Sequence, residues 1–230
     1  MANPEQLQLL KQGVAGWNQW REANPLIHPD LMGADLEGWK LQGINLSSAN
    51  LSNIHLTAAD LTGADLSRTY LRGAHLRQAN LYTADLVEAD LDRANLEEAN
   101  LEGADLYRAN LHQAKLARAT LRRSMLRRAH LNEADLQGAD LSEADLLQAH
   151  LIQAQVNQAN LEKANLKEAN LLETNLQGAN LLKADLRRAN LRRANLTGAQ
   201  VLEARLITVA DLDHTIMPDG NLYHGLGRVS

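Results

Sequence analysis

The sequence repeats every five residues without interruption over most of its length. From Leu31 to Leu206 every fifth residue is apolar, which gives 36 consecutive positions, 34 of them Leu and two of them Val. Ala stands two residues before 29 of these positions, and Asp or Asn stands one residue before 24 of them. The unit is therefore A-(D/N)-L-x-x, and a fixed period of this kind decides the architecture.

A period of five excludes the two regular alternatives. In an α-helix five residues turn by about 500°, so successive leucines drift around the axis and form no apolar face. In a flat strand side chains alternate with a period of two, so every second leucine would face the wrong side. The pattern instead predicts short extended pieces, with Ala and Leu inward and Asp or Asn outward, separated by two-residue corners. Repeated turning of this kind winds a solenoid with leucines stacked in its centre.

The composition excludes several kinds of chemical site. The chain has 230 residues with no Phe and no Cys, so its core consists of Leu, Ala and Ile, and disulfides, thiolate metal sites and Cys nucleophiles are excluded. A formal net charge of −5 does not indicate general nucleic-acid binding. No apolar run has the length of a membrane span, and the first residues lack the basic and apolar regions of a secretory signal. We therefore expect a cytoplasmic protein without a membrane partner.

The repeats resemble those of a known family. Segments such as ADLTG at 59–63 and ANLRRANL at 189–196 are similar to the repeats of pentapeptide repeat proteins. The resemblance implies an all-β solenoid, a right-handed quadrilateral β-helix with four pentapeptides per coil. The 36 repeats would make about nine coils, with stacked positions 20 residues apart. The tail at 217–220 resembles the closing segment common in cyanobacterial members, which suggests a cyanobacterial source.

The ends of the repeat region divide the chain into three parts. Residues 1–28 are predicted to form an N-terminal α-helical cap, because Leu7, Leu10, Val14 and Trp17 have helical spacing within 4–23. Residues 29–208 are predicted to form the pentapeptide-repeat β-helix. Residues 209–230 are predicted to form a further coil and a capping tail, after a one-residue shift of register at about Val209.

Stacking at 20-residue intervals predicts the neighbours of every outward side chain. It pairs His55 with His75 and His130 with His150, and it aligns aspartates such as Asp65, Asp85 and Asp105. Each set could hold a cation, but two ligands on a convex surface lack the further ligands of a built site. We favour exposed polar side chains bonded to local backbone. We expect no catalytic residue, metal or cofactor, because no nucleophile–base pair can be assembled and a convex rod offers no ordinary pocket.

Charge is distributed in bands. Residues 85–105 carry a net charge of −7, residues 108–128 carry +7, and residues 133–145 carry −5. A belt of basic residues is one feature of nucleic-acid-binding proteins. The 20-residue offset, however, predicts that five of the seven bases face an acid in a neighbouring coil, which favours ion pairs within the protein. The predicted pairs are Arg108 with Glu88, Arg118 with Glu98, Arg122 with Glu102, Arg123 with Glu143, and Lys115 with Asp135.

One stripe of outward residues departs from this pairing. In it the bases face no acid at the 20-residue offset, and apolar groups interrupt them. Unpaired Arg beside Tyr and Leu is the composition enriched at protein interfaces. The alternative is a solvated face whose bases pair with nearby aspartates. The candidate partner-binding residues are Tyr107, Arg127, Arg128, Leu147, Lys167 and Arg187.

Three functions compete at this point. The first is a non-catalytic scaffold that presents stacked side chains to an unidentified protein partner. The second follows from the resemblance, since some family members mimic duplex DNA and act on DNA gyrase; those members have an acidic surface and often Phe in the core, whereas this chain has no Phe. The third, an enzyme, lacks candidate residues. A monomer and a dimer through the C-terminal end both remain open.

Overall fold

The computed structural model describes residues 2–205 and 211–223. Two helices open the chain, α1 over Pro4–Leu10 and α2 over Val14–Ala23. From Asp30 onward the backbone forms isolated parallel β-bridges between residues 20 apart, beginning with Asp30 and Asn50. Four such bridge positions occur in every 20 residues, and each is followed by a two-residue turn. Because a two-residue turn interrupts every repeat, the described ranges contain bridges one residue long rather than continuous strands.

The repeat around Leu116 shows why the pattern folds this way. The Leu116 amide donates to the carbonyl of Asp135 in the next coil at 2.6 Å, and the Arg118 amide donates to the Gln137 carbonyl at 2.9 Å. The Ala119 amide returns to the Leu116 carbonyl at 3.0 Å and closes the corner. The chain therefore turns after every leucine and pairs with the coil beyond it.

The leucines fill the interior, as the sequence predicts. Every fifth residue from Leu31 to Leu196 is at most 2% exposed. Three of the polar residues at Ala positions are also buried, and their hydroxyls donate to backbone carbonyls: Thr69 to Leu66 at 2.6 Å, Ser124 to Leu121 at 2.7 Å, and Thr174 to Leu151 at 2.7 Å. The buried hydroxyls are satisfied, so they do not interrupt the apolar interior.

The helices contact the first coil through hydrogen bonds to its backbone. Trp17 is fully buried, and its indole nitrogen donates to the Asn45 carbonyl at 2.7 Å. The guanidinium of Arg21, 6% exposed, donates to the carbonyls of Ile27 and Ser47. These donors satisfy backbone groups that no preceding coil can reach.

The single helix predicted within residues 4–23 is wrong in one respect. The helix stops after Leu10 and a new one starts at Val14. Gly13 has a φ of 105°, and its amide donates to the Leu10 carbonyl at 3.0 Å, so the backbone turns between the two helices. The spacing of apolar residues continues across this break, which is why the sequence alone does not reveal it.

The register shifts by one residue near the C-terminal end. Asn180 bridges Gln200 at the usual offset of 20, whereas Asn190 bridges Asp211 and Asn195 bridges Ile216, both at an offset of 21. Arg205 still donates to the Ala184 carbonyl at the usual spacing, and Asp211 is the first described residue at the new offset. This agrees with the predicted shift, although Val209 itself lies outside the described residues. Ile216 then bridges Leu222 in the antiparallel sense, where the chain folds back.

Candidate interaction face

Corner side chains of successive coils form columns of residues 20 apart in sequence. Three of the five predicted ion pairs are confirmed: Arg108 with Glu88 at 3.6 Å, Arg118 with Glu98 at 2.8 Å, and Arg123 with Glu143 at 3.0 Å. These pairs link neighbouring coils at the surface.

Two of the predicted pairs are wrong. Arg122 lies 3.1 Å from Glu143 and shares this carboxylate with Arg123, whereas no ion pair to Glu102 forms in the described chain. Lys115 and Asp135 bridge through their backbones, but their side chains form no ion pair within 4.0 Å in the described ranges. Long side chains also contact residues of neighbouring columns. The 20-residue offset predicts only contacts within a column.

Glu98 accepts hydrogen bonds from three side chains of its own corner. It accepts hydrogen bonds from Arg118 at 2.8 Å, from Gln78 at 2.7 Å and from Arg77 at 3.1 Å. These three donors, Arg118 first, lower the pKa of Glu98 to about 2. The acidic and basic bands therefore neutralise one another here.

Three basic side chains of the predicted stripe lie close to acidic side chains. Arg127 pairs with Asp145, and Arg187 pairs with Asp185 through its Nε at 2.8 Å. Lys167 lies 4.0 Å from Glu168. The expectation that these bases lack acidic partners is wrong, because their partners lie beside the column, in an adjacent bridge position or corner position, rather than within it. The hydrogen bond from Arg187 also lowers the pKa of Asp185.

Arg128 differs from the other bases of the stripe. Its Nε donates to Gln148 Oε1 at 2.8 Å, and it forms no ion pair within 4.0 Å in the described part of the chain. Gln148 in turn donates to Glu168 at 2.8 Å. The guanidinium of Arg108, one coil before, lies 5.1 Å from the centre of the Tyr107 ring.

Two shallow grooves flank Arg128. The first, which we call the tyrosine groove, is lined by Tyr107, Arg127, Arg128, Leu147 and Gln148. The second, which we call the histidine groove, is lined by Arg108, Arg128, His130, Gln148, Ala149, His150, Glu168 and Asn170. The structure thus brings four of the six predicted residues into one groove, while Lys167 and Arg187 lie in the following coils.

The histidine pairs stack as predicted. The rings of His130 and His150 lie 4.9 Å apart and those of His55 and His75 lie 4.6 Å apart, both nearly parallel. Burial, and secondarily the neighbouring His150, lowers the pKa of His130. The sequence interpretations of this pair are a metal site and exposed polar side chains, and neither joins it to Arg128. The signal was available, since His130 follows Arg128 by two residues.

The outward aspartates bond to local backbone. Their Oδ1 atoms accept from amides two residues on: Asp65 from Ser67 at 3.0 Å, Asp85 from Val87 at 2.9 Å, and Asp105 from Tyr107 at 2.9 Å. This confirms the preferred interpretation of that column. Within residues 2–205 and 211–223, no group of three His, Asp or Glu side chains is placed to hold a metal ion.

Family models match nearly the whole repeat region. A model described as pentapeptide repeats matches overlapping segments between residues 30 and 142, and a second, described as a pentapeptide repeat region, matches residues 124–201. The chain belongs to the pentapeptide repeat family. The buried leucines and the 20-residue bridges are the structural counterpart of that match.

Solved structures of other pentapeptide repeat proteins resemble this one. HetL from the cyanobacterium Nostoc sp. strain PCC 7120, involved in heterocyst differentiation regulation, is 37% identical; the match covers 92% of this chain and 99% of HetL, with a TM-score of 0.51. Rfr23 from the cyanobacterium Cyanothece 51142 is 40% identical over 40% of this chain and 63% of Rfr23, with a TM-score of 0.40. QnrB1, a plasmid-mediated fluoroquinolone resistance protein, is 17% identical over 79% of this chain and 92% of QnrB1, with a TM-score of 0.49.

The search of curated proteins gave no match. Neither helix of the described residues combines the length and the apolar character needed to cross a bilayer.

Proposed function

We propose that this pentapeptide repeat protein is a non-catalytic scaffold that binds a protein partner. Its docking face consists of the predicted stripe, Tyr107, Arg127, Arg128, Leu147, Lys167 and Arg187. The observation that supports it is the tyrosine groove, where an aromatic ring, two guanidinium groups and a leucine line one concave surface. Arg and Tyr are the residues enriched where partners bind.

The construction of the rod suits this role. Corner side chains project from a backbone fixed by bonds to the coils on both sides, so little conformational freedom is left to lose on binding. HetL, which shares 37% of its residues with this chain over nearly its full length, is described as involved in a regulatory process. A scaffold that acts by binding is compatible with such a role.

The finer architecture belongs to the same proposal. The rod is right-handed and has about nine coils, and α1 and α2 act as its N-terminal cap. The protein works in the cytoplasm. It is a monomer or a dimer through its C-terminal end. The contacts of Trp17 and Arg21 with the first coil support the cap.

Affinity capture from a lysate of the source organism tests the docking face. The wild-type protein is compared with an Arg127→Glu, Arg187→Glu double variant, and retained proteins are identified by mass spectrometry. We expect a partner that the wild type retains and the variant loses. The matched control is the Arg77→Glu, Arg118→Glu double variant, which also reverses two ion-paired arginines but on a different corner of the rod. A partner retained equally by all three proteins would contradict this docking face.

A further inference from the structure

In the corner column that contains Arg128, charged side chains of successive coils face an opposite charge or an amide. One pair of neighbouring coils is the exception. Arg68 lies 3.5 Å from Glu88, and Glu88 lies 3.6 Å from Arg108. Further along, Arg128 bonds to Gln148, Gln148 bonds to Glu168, and Glu168 lies 3.6 Å from Arg188. Between these two runs Arg108 and Arg128 occupy adjacent coils with like charge, an arrangement that repels.

The Arg128 guanidinium has donors to spare. Its single hydrogen bond within the described chain uses Nε, which leaves the two terminal nitrogens for another acceptor. A guanidinium presents these nitrogens as a planar fork that matches the two oxygens of a carboxylate. A carboxylate placed here would also offset the repulsion between Arg108 and Arg128.

The surroundings of Arg128 offer two different environments. On one side the histidine groove contains the stacked rings of His130 and His150, with Arg108 beside them. On the other side the tyrosine groove lies between Tyr107 and Leu147, which are half-buried. These two residues lie one coil to either side of Arg127, whose guanidinium pairs with Asp145. An acidic group and an apolar group can therefore be bound side by side.

We infer that this site binds an extended acidic segment of the protein partner, with one carboxylate on Arg128 and an adjacent apolar side chain between Tyr107 and Leu147. The inference rests on the proposed scaffold function and names the chemistry of the partner. The carboxylate neutralises the single like-charged step of the column, and the apolar side chain covers the ring and the leucine that flank it.

A nucleic acid fits this site less well. Its phosphates follow one another at short intervals and would extend beyond Arg128. Asp145 lies beside the tyrosine groove, where it pairs with Arg127, and Glu168 lines the histidine groove. These carboxylates repel a continuous polyanion but leave room for one acidic side chain.

Fluorescence anisotropy with two labelled peptides tests the inference on the full-length protein. The first peptide has eight residues that alternate Glu and Leu, and the second carries Gln in place of each Glu. We expect the wild type to bind the Glu peptide about tenfold or more tightly than the Gln peptide, since hydrogen bonds between charged groups are the stronger ones. We expect Arg128→Gln to weaken binding of the Glu peptide by a similar factor.

Arg93→Gln is the matched control. Arg93 also donates from Nε to a glutamine, Gln113, at 2.8 Å and also forms no ion pair within 4.0 Å in the described chain, but it lines neither groove. Arg93→Gln should leave binding of the Glu peptide unchanged. The inference is overturned if the wild type binds neither peptide, if both peptides bind equally, or if the two variants lose affinity equally. Tighter, Arg128-dependent binding of a labelled DNA duplex would overturn it in favour of a nucleic-acid site.

The same variant separates this inference from the scaffold proposal. If a partner depends on Arg127 and Arg187 but is still captured by the Arg128→Gln protein, the scaffold stands and the carboxylate site falls. If the Glu peptide binds through Arg128 but no partner depends on the docking face, the site stands and the proposed docking face falls.

Discussion

From Gly33 to Glu203 the second residue of every corner adopts left-handed backbone, whatever its side chain. Ala58 has a φ of 55° and Gly63, the next corner, has a φ of 61°. This conformation costs a residue with a Cβ about 1–2 kcal/mol relative to glycine. The sequence shows Gly at only some of these corners, so the cost is tolerated because the hydrogen bonds of the neighbouring coils hold the turn.

Reciprocal substitutions at these two corners should therefore have opposite effects on stability. Gly63→Ala should lower the free energy of unfolding by about 1 kcal/mol, because its φ is unfavourable for Ala. A Cβ at Gly63 meets no atom within 4 Å, so no steric clash adds to the backbone strain. Ala58→Gly should raise the free energy of unfolding by about 0.5 kcal/mol once the greater freedom of the unfolded chain is deducted. Urea titrations followed by circular dichroism measure both, and equal signs would contradict the argument.

Glu98 should respond to pH in a defined window. Because its folded pKa of about 2 lies below the ordinary value of 4.5, its contribution to stability is present above that ordinary value. It is lost as the pH falls from about 4.5 towards 2. A carboxyl-carbon NMR titration of Glu98 measures the folded value directly. Arg118→Gln should raise the pKa of Glu98, and an unchanged titration would show that Arg118 is not its main donor.

At the scale of the repeat, the same substitution should have unequal effects inside and outside the rod. Leu116 is fully buried, whereas Leu202 is 71% exposed. Leu116→Ala should cost about 2–5 kcal/mol, because it removes apolar contacts and leaves a cavity. Leu202→Ala should change stability by less than about 0.5 kcal/mol. Chemical unfolding of both variants checks this, and similar losses would refute the inward assignment of the leucines.

The contact between α2 and the first coil gives a second prediction at this scale. Trp17→Phe keeps an aromatic ring but removes the donor to the Asn45 carbonyl, at an expected cost of about 1–3 kcal/mol. Trp20→Phe is the control, because Trp20 is only partly buried and its indole nitrogen forms no hydrogen bond in the described chain. Thermal unfolding compares the two. Equal losses would show that the indole donor does not matter to the proposed cap.

How far the sequence predicts the structure depends on whether an interaction is fixed by the backbone. The inward positions of Ala and Leu follow from the five-residue period, and the stacking of His130 on His150 follows from the coil length. The partners of Arg122 and Arg127 do not, because a flexible side chain chooses among carboxylates in several columns. The spacing of apolar residues does not predict the break between α1 and α2 either, because the break depends on the positive φ of Gly13.

At the scale of the whole molecule, charge alternates along the rod. The belt of +7 over residues 108–128 lies between bands of −7 and −5, and most of its bases pair with acids in their own or neighbouring coils. This mutual neutralisation leaves the step from Arg108 to Arg128 as a local excess of positive charge. The inference of an acidic partner segment rests on that excess of positive charge.

The same banding predicts the outcome of a test for DNA mimicry. Duplex DNA presents uniform negative charge along its axis, about one charge per 1.7 Å. A rod interrupted by a basic belt one coil high does not reproduce that surface, so we expect no change in supercoiling by DNA gyrase at micromolar protein. Plasmid supercoiling on an agarose gel, with and without the folded protein and with the heat-unfolded protein as control, measures this. Inhibition or protection of gyrase by the folded protein alone would favour DNA mimicry, because it would require that the acidic bands act on gyrase despite the belt between them.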